Sequence, residues 1–131
     1  MRLKRIAVAG AVVIGGVAVL GYAQQSGFTR KVLQDQNMSV QDRHAVQVLA
    51  EFGPGGATGK HTHPGEEVGY LLEGTLVLEV DGQPPRTLKA GDVFFVEPGK
   101  VHNGKNVGGG AAKVLVTYVV EKGKPVASPA K

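Results

Sequence analysis

The chain has 131 residues, 20 of them Gly, 7 Pro and none Cys, with 42% apolar and only 5% aromatic residues. That length suits one domain, and the lack of Cys excludes disulfides, Cys-ligated zinc, iron–sulfur clusters and thiol nucleophiles. Arg2, Lys4 and Arg5 precede the first acidic residue, Asp35, so without residues 1–23 the 15 Lys and Arg fall to 12 against 11 Asp and Glu, a net +1. A nearly neutral body with so few aromatics offers neither the basic stripe nor the stacking platform of a nucleic-acid binder.

Residues 1–5 form a basic segment, and the uncharged run Ile6 to Leu20 follows it, ending in Gly21-Tyr22-Ala23. This reads as an export signal cleaved after Ala23, which places the protein in the periplasm or outside the cell. As a helix the apolar run reaches roughly 22 Å, short of the roughly 30 Å hydrocarbon layer. An uncleaved anchor is the competing reading, and it would be the chain's one tie to a membrane.

From Phe28 onward the apolar period is two rather than 3.6. Val46, Val48, Ala50 and Phe52 alternate with Gln47, Leu49 and Glu51 until Gly53-Pro54-Gly55-Gly56 stops the strand. A helix-like segment is expected around Ser39 to Arg43. Further strands are expected at Glu67 to Leu72 and Thr75 to Val80. Asp81-Gly82 then signals a hairpin into Arg86 to Leu88. Ala90-Gly91-Asp92 turns into Val93 to Val96, Glu97-Pro98-Gly99 turns again before His102, and Ala112 to Glu121 is the longest apolar strand. Turn signals this frequent predict an all-β fold, a small double-sheet jelly-roll barrel. The expected layout is a signal at 1–23, an N-terminal arm at 24–43, the barrel at 44–121 and a flexible tail at 122–131. So short a chain buries a modest core. Strand 112–121 and the outward residues of 67–80 therefore point to a homodimer, or else both faces of these strands are internal.

Three of the four His fall in two patterned places. His61 and His63 follow the Gly-rich turn and share strand parity with Glu67, so all three side chains should face one way, while Glu66 and Tyr70 face the other. With His102 they make a His3Glu set suited to one divalent metal, such as iron, manganese, cobalt, nickel, copper or zinc. His44 reads as an ordinary edge histidine, and Asn106 as the holder of a turn. Glu97, Lys100 and Tyr118 are the candidates for acid–base work, with Glu97 read first as a solvated turn carboxylate. Leu71, Leu76, Phe94 and Val96 either wall a cavity or fill it.

Gly55, His61, His63, Glu67 and Gly74 fit Gly-x5-His-x-His-x3-Glu-x6-Gly, and 16 residues later Gly91, Gly99, His102 and Asn106 fit a second motif. Together these resemble the two motifs of the cupin superfamily over roughly residues 44–121, and in particular its small bacterial single-domain (type 2) members. One position departs, since Glu97 stands where the family usually has Pro. The resemblance implies a conical β-barrel with the metal inside, held by His61, His63, Glu67 and His102. Iron, manganese or zinc are the expected ions. It also admits oxygenase, decarboxylase and isomerase activities as well as non-enzymatic binding. The expected function is an exported, oxygen-using oxidoreductase acting on a small organic acid or phenolic compound. The alternative is a non-catalytic metal or small-ligand binding or sensing module of the cell envelope.

Overall fold

The computed structural model describes residues 27–131, so the export signal expected over 1–23 lies outside the described residues. The strands are β1 (Phe28–Asn37), β2 (Arg43–Phe52), β3 (His61–Thr62), β4 (Gly65–Glu73), β5 (Thr75–Val80), β6 (Arg86–Lys89), β7 (Val93–Val96), β8 (His102–Asn106), β9 (Ala112–Glu121) and β10 (Ser128–Pro129). They form two five-stranded antiparallel sheets, ordered β1-β2-β9-β4-β7 and β10-β3-β8-β5-β6. The fold is all-β, a double-sheet jelly roll as the alternation predicts.

The period of two decides what lies between the sheets. Val46, Val48, Ala50 and Phe52 of β2 are buried, as are Ala112, Val114, Val116, Tyr118 and Val120 of β9. The register pairs Val46 with Tyr118, Val48 with Val116 and Ala50 with Val114, so the two inward rows lie side by side. Leu76, Leu78 and Leu88 close the core from the second sheet. The ring of Phe94 lies against the bare Cα of Gly69, where a Cβ would collide with it. Leu71, Leu76, Phe94 and Val96 are all core residues, and of these Leu76 and Phe94 also wall the cavity described below.

The outward residues of β4 and β7 are apolar and uncovered. Val68, Tyr70, Leu72, Val93 and Phe95 are exposed, and the register sets Val68 opposite Phe95 and Tyr70 opposite Val93. This face of the sheet is therefore not internal.

Two expectations are corrected. No helix forms at Ser39 to Arg43. The chain makes a tight reversal there, with Asp42 at φ 60°, a left-handed conformation that Asp tolerates in turns. The tail expected to fray folds back instead. Ser128 and Pro129 pair with Thr62 and His61, Ala127 is buried, and Ala130 N donates to Lys60 O at 2.9 Å. Residues 28–37 of the expected arm form the edge strand β1, paired along β2.

Candidate metal centre

The site spans both sheets. His61 on β3 stands directly opposite His102 on β8 in the second sheet. The chain then passes through His63 and Pro64 into β4, where Glu67 lies in the first sheet between Val96 and Tyr118. Burial alternates without interruption through this crossing: His61, His63, Gly65 and Glu67 are buried, and Thr62, Pro64 and Glu66 less so. One ligand atom from each of His61, His63, Glu67 and His102 lies within 4.8 Å of the others, all four residues being buried. Atoms facing each other across an ion bound at about 2.1 Å are separated by about 4 Å, so this spacing is close to that of a shared ion.

Backbone carbonyls orient all three rings. The Nδ1 of His61 lies 2.8 Å from Gly59 O, that of His63 2.6 Å from Val126 O, and that of His102 2.9 Å from Lys100 O. A carbonyl only accepts, so each Nδ1 carries the hydrogen and donates it, leaving Nε2 as the nitrogen available for a metal. Two Nε2 atoms meet the same carboxylate oxygen: His102 at 2.8 Å and His63 at 3.0 Å from Glu67 Oε2. The first is a hydrogen bond. The second is poorly aligned, and His63 Nε2 is left buried without a hydrogen-bond partner. A buried nitrogen lone pair with no donor, beside a carboxylate and two further imidazoles, fits a cation. The residues present therefore suit a divalent metal, whose identity they leave open.

The protonation states follow from the same contacts. Burial, reinforced by the His102 charge, pushes His61 down from 6.5 to about 3, so it is neutral at physiological pH. Burial opposes ionisation of Glu67, but the imidazoles of His102 and His63 outweigh it and hold its carboxyl at about 2. Burial likewise opposes the charged form of His102, yet its bond to Glu67 prevails and raises its pKa. Tyr118 is pushed well above its usual value, by burial first and the Glu67 charge second, so its phenol stays protonated. Its ring packs 4.5 Å from that of His63.

The four ligand candidates come together as expected, and Glu66 and Tyr70 lie outside the cluster. Among the acid–base candidates, Tyr118 lines the cavity, whereas Glu97 and Lys100 are exposed. Lys100 contributes only its carbonyl, to His102. Asn106 holds a turn: its Nδ2 donates to Phe52 O, Gly53 O and Gly110 O, and its Oδ1 accepts from Gly108 N. His44 bonds Asp35 at 2.7 Å, on the β1–β2 ribbon and outside the cluster. A small cavity of about 30 Å³ adjoins the cluster, walled by Phe28, Phe52, Leu76, Phe94 and Tyr118. Arg30 of β1 also lines it, a residue that no period or motif singles out.

The family Cupin_2 (cupin domain) matches residues 48–118, and the chain belongs to that family. It is 30% identical to the HTH-type transcriptional regulator PuuR of Escherichia coli (strain K12) over 93 residues, 70% of this chain and 48% of that protein. It is 31% identical over 109 residues to the tetracenomycin polyketide synthase protein TcmJ of Streptomyces glaucescens, covering 82% of this chain and 71% of that one. An oxalate oxidase in complex with the substrate analogue glycolate has the same fold, with a TM-score of 0.65 at 22% identity over 95% of this chain and 67% of that one. The chain spans about half the length of PuuR.

Proposed function

We propose that His61, His63, Glu67 and His102 hold one divalent metal ion, and that the protein is an oxygen-using oxidoreductase acting on a small organic acid. The observation that carries the reading is the set of three imidazoles, each fixed through Nδ1 to a backbone carbonyl, converging with Glu67. Three His and one carboxylate leave positions of an octahedral ion open to small ligands, and a bound iron or manganese ion would supply redox and Lewis-acid chemistry there. The chain's own contributions are orientation, exclusion of water and one proton donor. The carbonyls of Gly59, Lys100 and Val126 lock the imidazoles. Phe52, Leu76 and Phe94 keep the cavity wall apolar, and the neutral Tyr118 phenol offers a hydrogen bond beside the cluster.

A structural likeness favours an acid over a phenol. The oxalate oxidase that shares the fold holds glycolate, an acid of that small class. Protein loaded with ferrous iron or manganese should take up oxygen with glycolate or oxalate, and Glu67→Gln should abolish the uptake. Loaded protein that consumes no oxygen across a panel of small acids and phenols would remove the oxidoreductase reading.

A second reading is a non-catalytic ligand-binding or sensing module. It is favoured by the match to a transcriptional regulator and by Tyr118 being the one acid–base group, besides the metal-ligand candidates, lining the cavity among the described residues. Saturable acid binding without turnover would select it.

The uncovered row of Val68, Tyr70, Leu72, Val93 and Phe95 further supports a homodimer, in which a two-fold axis lays one copy's row on the other's. Light scattering should then give twice the chain mass, and Phe95→Glu should halve it. A wild-type chain that scatters as a monomer at micromolar concentration would exclude the pairing.

A further inference from the structure

Arg30 sits in the edge strand, outside the residues 48–118 that match the family, so membership carries no statement about it. It shares strand parity with Phe28, and the register sets Phe28 opposite Phe52 and Arg30 opposite Ala50. Both side chains line the cavity beside the metal-ligand cluster. The guanidinium carbon lies 5.1 Å from the centre of the Phe28 ring, which is itself braced by Phe52 at 4.7 Å between centroids.

The charge has no counterpart. Arg30 Nε is buried with no hydrogen-bond partner, and none of the ion pairs among the described residues includes Arg30. Glu67, the one carboxylate lining the cavity, is already engaged by His102 and His63. Arg30 is half-buried; a guanidinium is charged at every working pH, and the part of it taken out of water is stabilised by an anion. The stacking on Phe28 recovers only part of that desolvation. A cation beside a cluster built to hold a second cation is also electrostatically unfavourable unless a negative ligand joins them. With a divalent ion, the Glu67 carboxylate and Arg30, the formal charge of the region is +2. A neutral phenol leaves that charge uncompensated, whereas a carboxylate reduces it and a dicarboxylate cancels it. The planar fork of the guanidinium matches two carboxylate oxygens.

We infer that Arg30 is the anion receptor of this cavity, holding the carboxylate of a small hydroxy or dicarboxylic acid whose other oxygen reaches the cluster of His61, His63, Glu67 and His102. The inference rests on the metal reading of that cluster and adds the residue that selects the substrate class. Phe28 acts on it as a positioning residue, by stacking.

The test uses the full chain loaded with zinc, which is diamagnetic, together with Arg30→Gln and Arg30→Lys, and glycolate as the probe. Zinc content is read by elemental analysis, and binding by calorimetry and by the guanidinium Nε–H resonance of Arg30. Arg30→Gln should keep the wild-type zinc content while raising the glycolate dissociation constant tenfold or more. Arg30→Lys should recover part of the affinity, and the wild-type Nε–H resonance should shift saturably. Uncharged ethylene glycol should bind wild type and Arg30→Gln equally weakly. Equal glycolate affinity in wild type and Arg30→Gln, or an Nε–H resonance that does not move, overturns the receptor while leaving the metal site standing. Zinc that the wild type does not retain overturns the metal reading instead. The same titration on metal-free chains then decides Arg30: a difference from Arg30→Gln supports it, and no difference ends it.

Discussion

Replacing His61, Glu67 or His102 one at a time, as His61→Ala, Glu67→Gln or His102→Ala, is expected to take bound metal from one ion per chain to near zero after dialysis. The reason lies in how little else could hold the ion. The cluster is buried, and it is the one grouping of three or more metal-ligating side chains among the described residues. Loss of one donor therefore leaves an incomplete shell with no neighbouring carboxylate to take its place, because Glu66 belongs to the opposite face of β4 and Glu97 is exposed. Loss of a group that merely orients a ligand lowers affinity about 10–100-fold. Loss of the ligand itself should exceed that.

The same series contains an internal control. His63 is oriented by Val126 O at 2.6 Å, an acceptor supplied by the tail, so a chain truncated after Pro125 keeps all four donors but loses that orienting bond together with the pairing of β10 on Thr62 and His61. Its affinity should fall within the 10–100-fold range, between wild type and the ligand variants. Thermal unfolding gives the second readout. A metal present at a thousand times its dissociation constant stabilises the folded state by about 4 kcal/mol, and this increment should vanish in the ligand variants and shrink in the truncated chain. Ligand variants that retain wild-type metal content would sink the assignment of these residues.

What could be read from the sequence was whatever a side chain announces by period or spacing. The inward rows of β2 and β9 are alternating apolar residues, and the pattern at 46, 48, 50 and 52 needs no tertiary information. His61, His63 and Glu67 were legible by parity. The reasoning held for an instructive reason, because the chain changes sheets between His63 and Gly65 yet the alternation of buried residues continues through the crossing. The features that escaped act through backbone or through an isolated side chain. Val126 contributes a carbonyl, which every residue has, and β10 is a two-residue strand too short to show a period. The reversal at Asp42 depends on one left-handed residue, and its polar sequence looks the same as a helix start. Arg30 was hidden because β1 is exposed on both faces beyond it, so no alternation marks which of its residues turn inward. Only the placement of Phe28 against Phe52 reveals that.

The metal-free protein is expected to lose stability steeply as pH falls below 6.5. His61 titrates near 3 in the folded chain and near 6.5 when unfolded, so between those values the unfolded chain binds more protons and folding weakens as acid is added. Glu67 titrates near 2 folded and 4.5 unfolded, which extends the same slope downward. Stability that both groups lend at neutral pH is thus withdrawn through the window from 6.5 to about 2. His102 works in the opposite sense. Its raised pKa means that its bond to Glu67 stabilises the fold below the ordinary imidazole value and that this contribution is lost as pH climbs through the raised one. The metal-free chain should therefore show a maximum just above 6.5, falling on both sides. A metal ion takes the place of the His102 proton, so metal affinity should rise with pH until that proton is gone, and the alkaline limb should flatten in the loaded protein. Urea unfolding from pH 4 to 9, with chelator and with zinc, measures both limbs, and His61→Gln should flatten the acid limb of the metal-free chain. A metal-free stability that is level from pH 6.5 to 4, or an acid limb unchanged in His61→Gln, would show that the neutral buried His61 does not govern it.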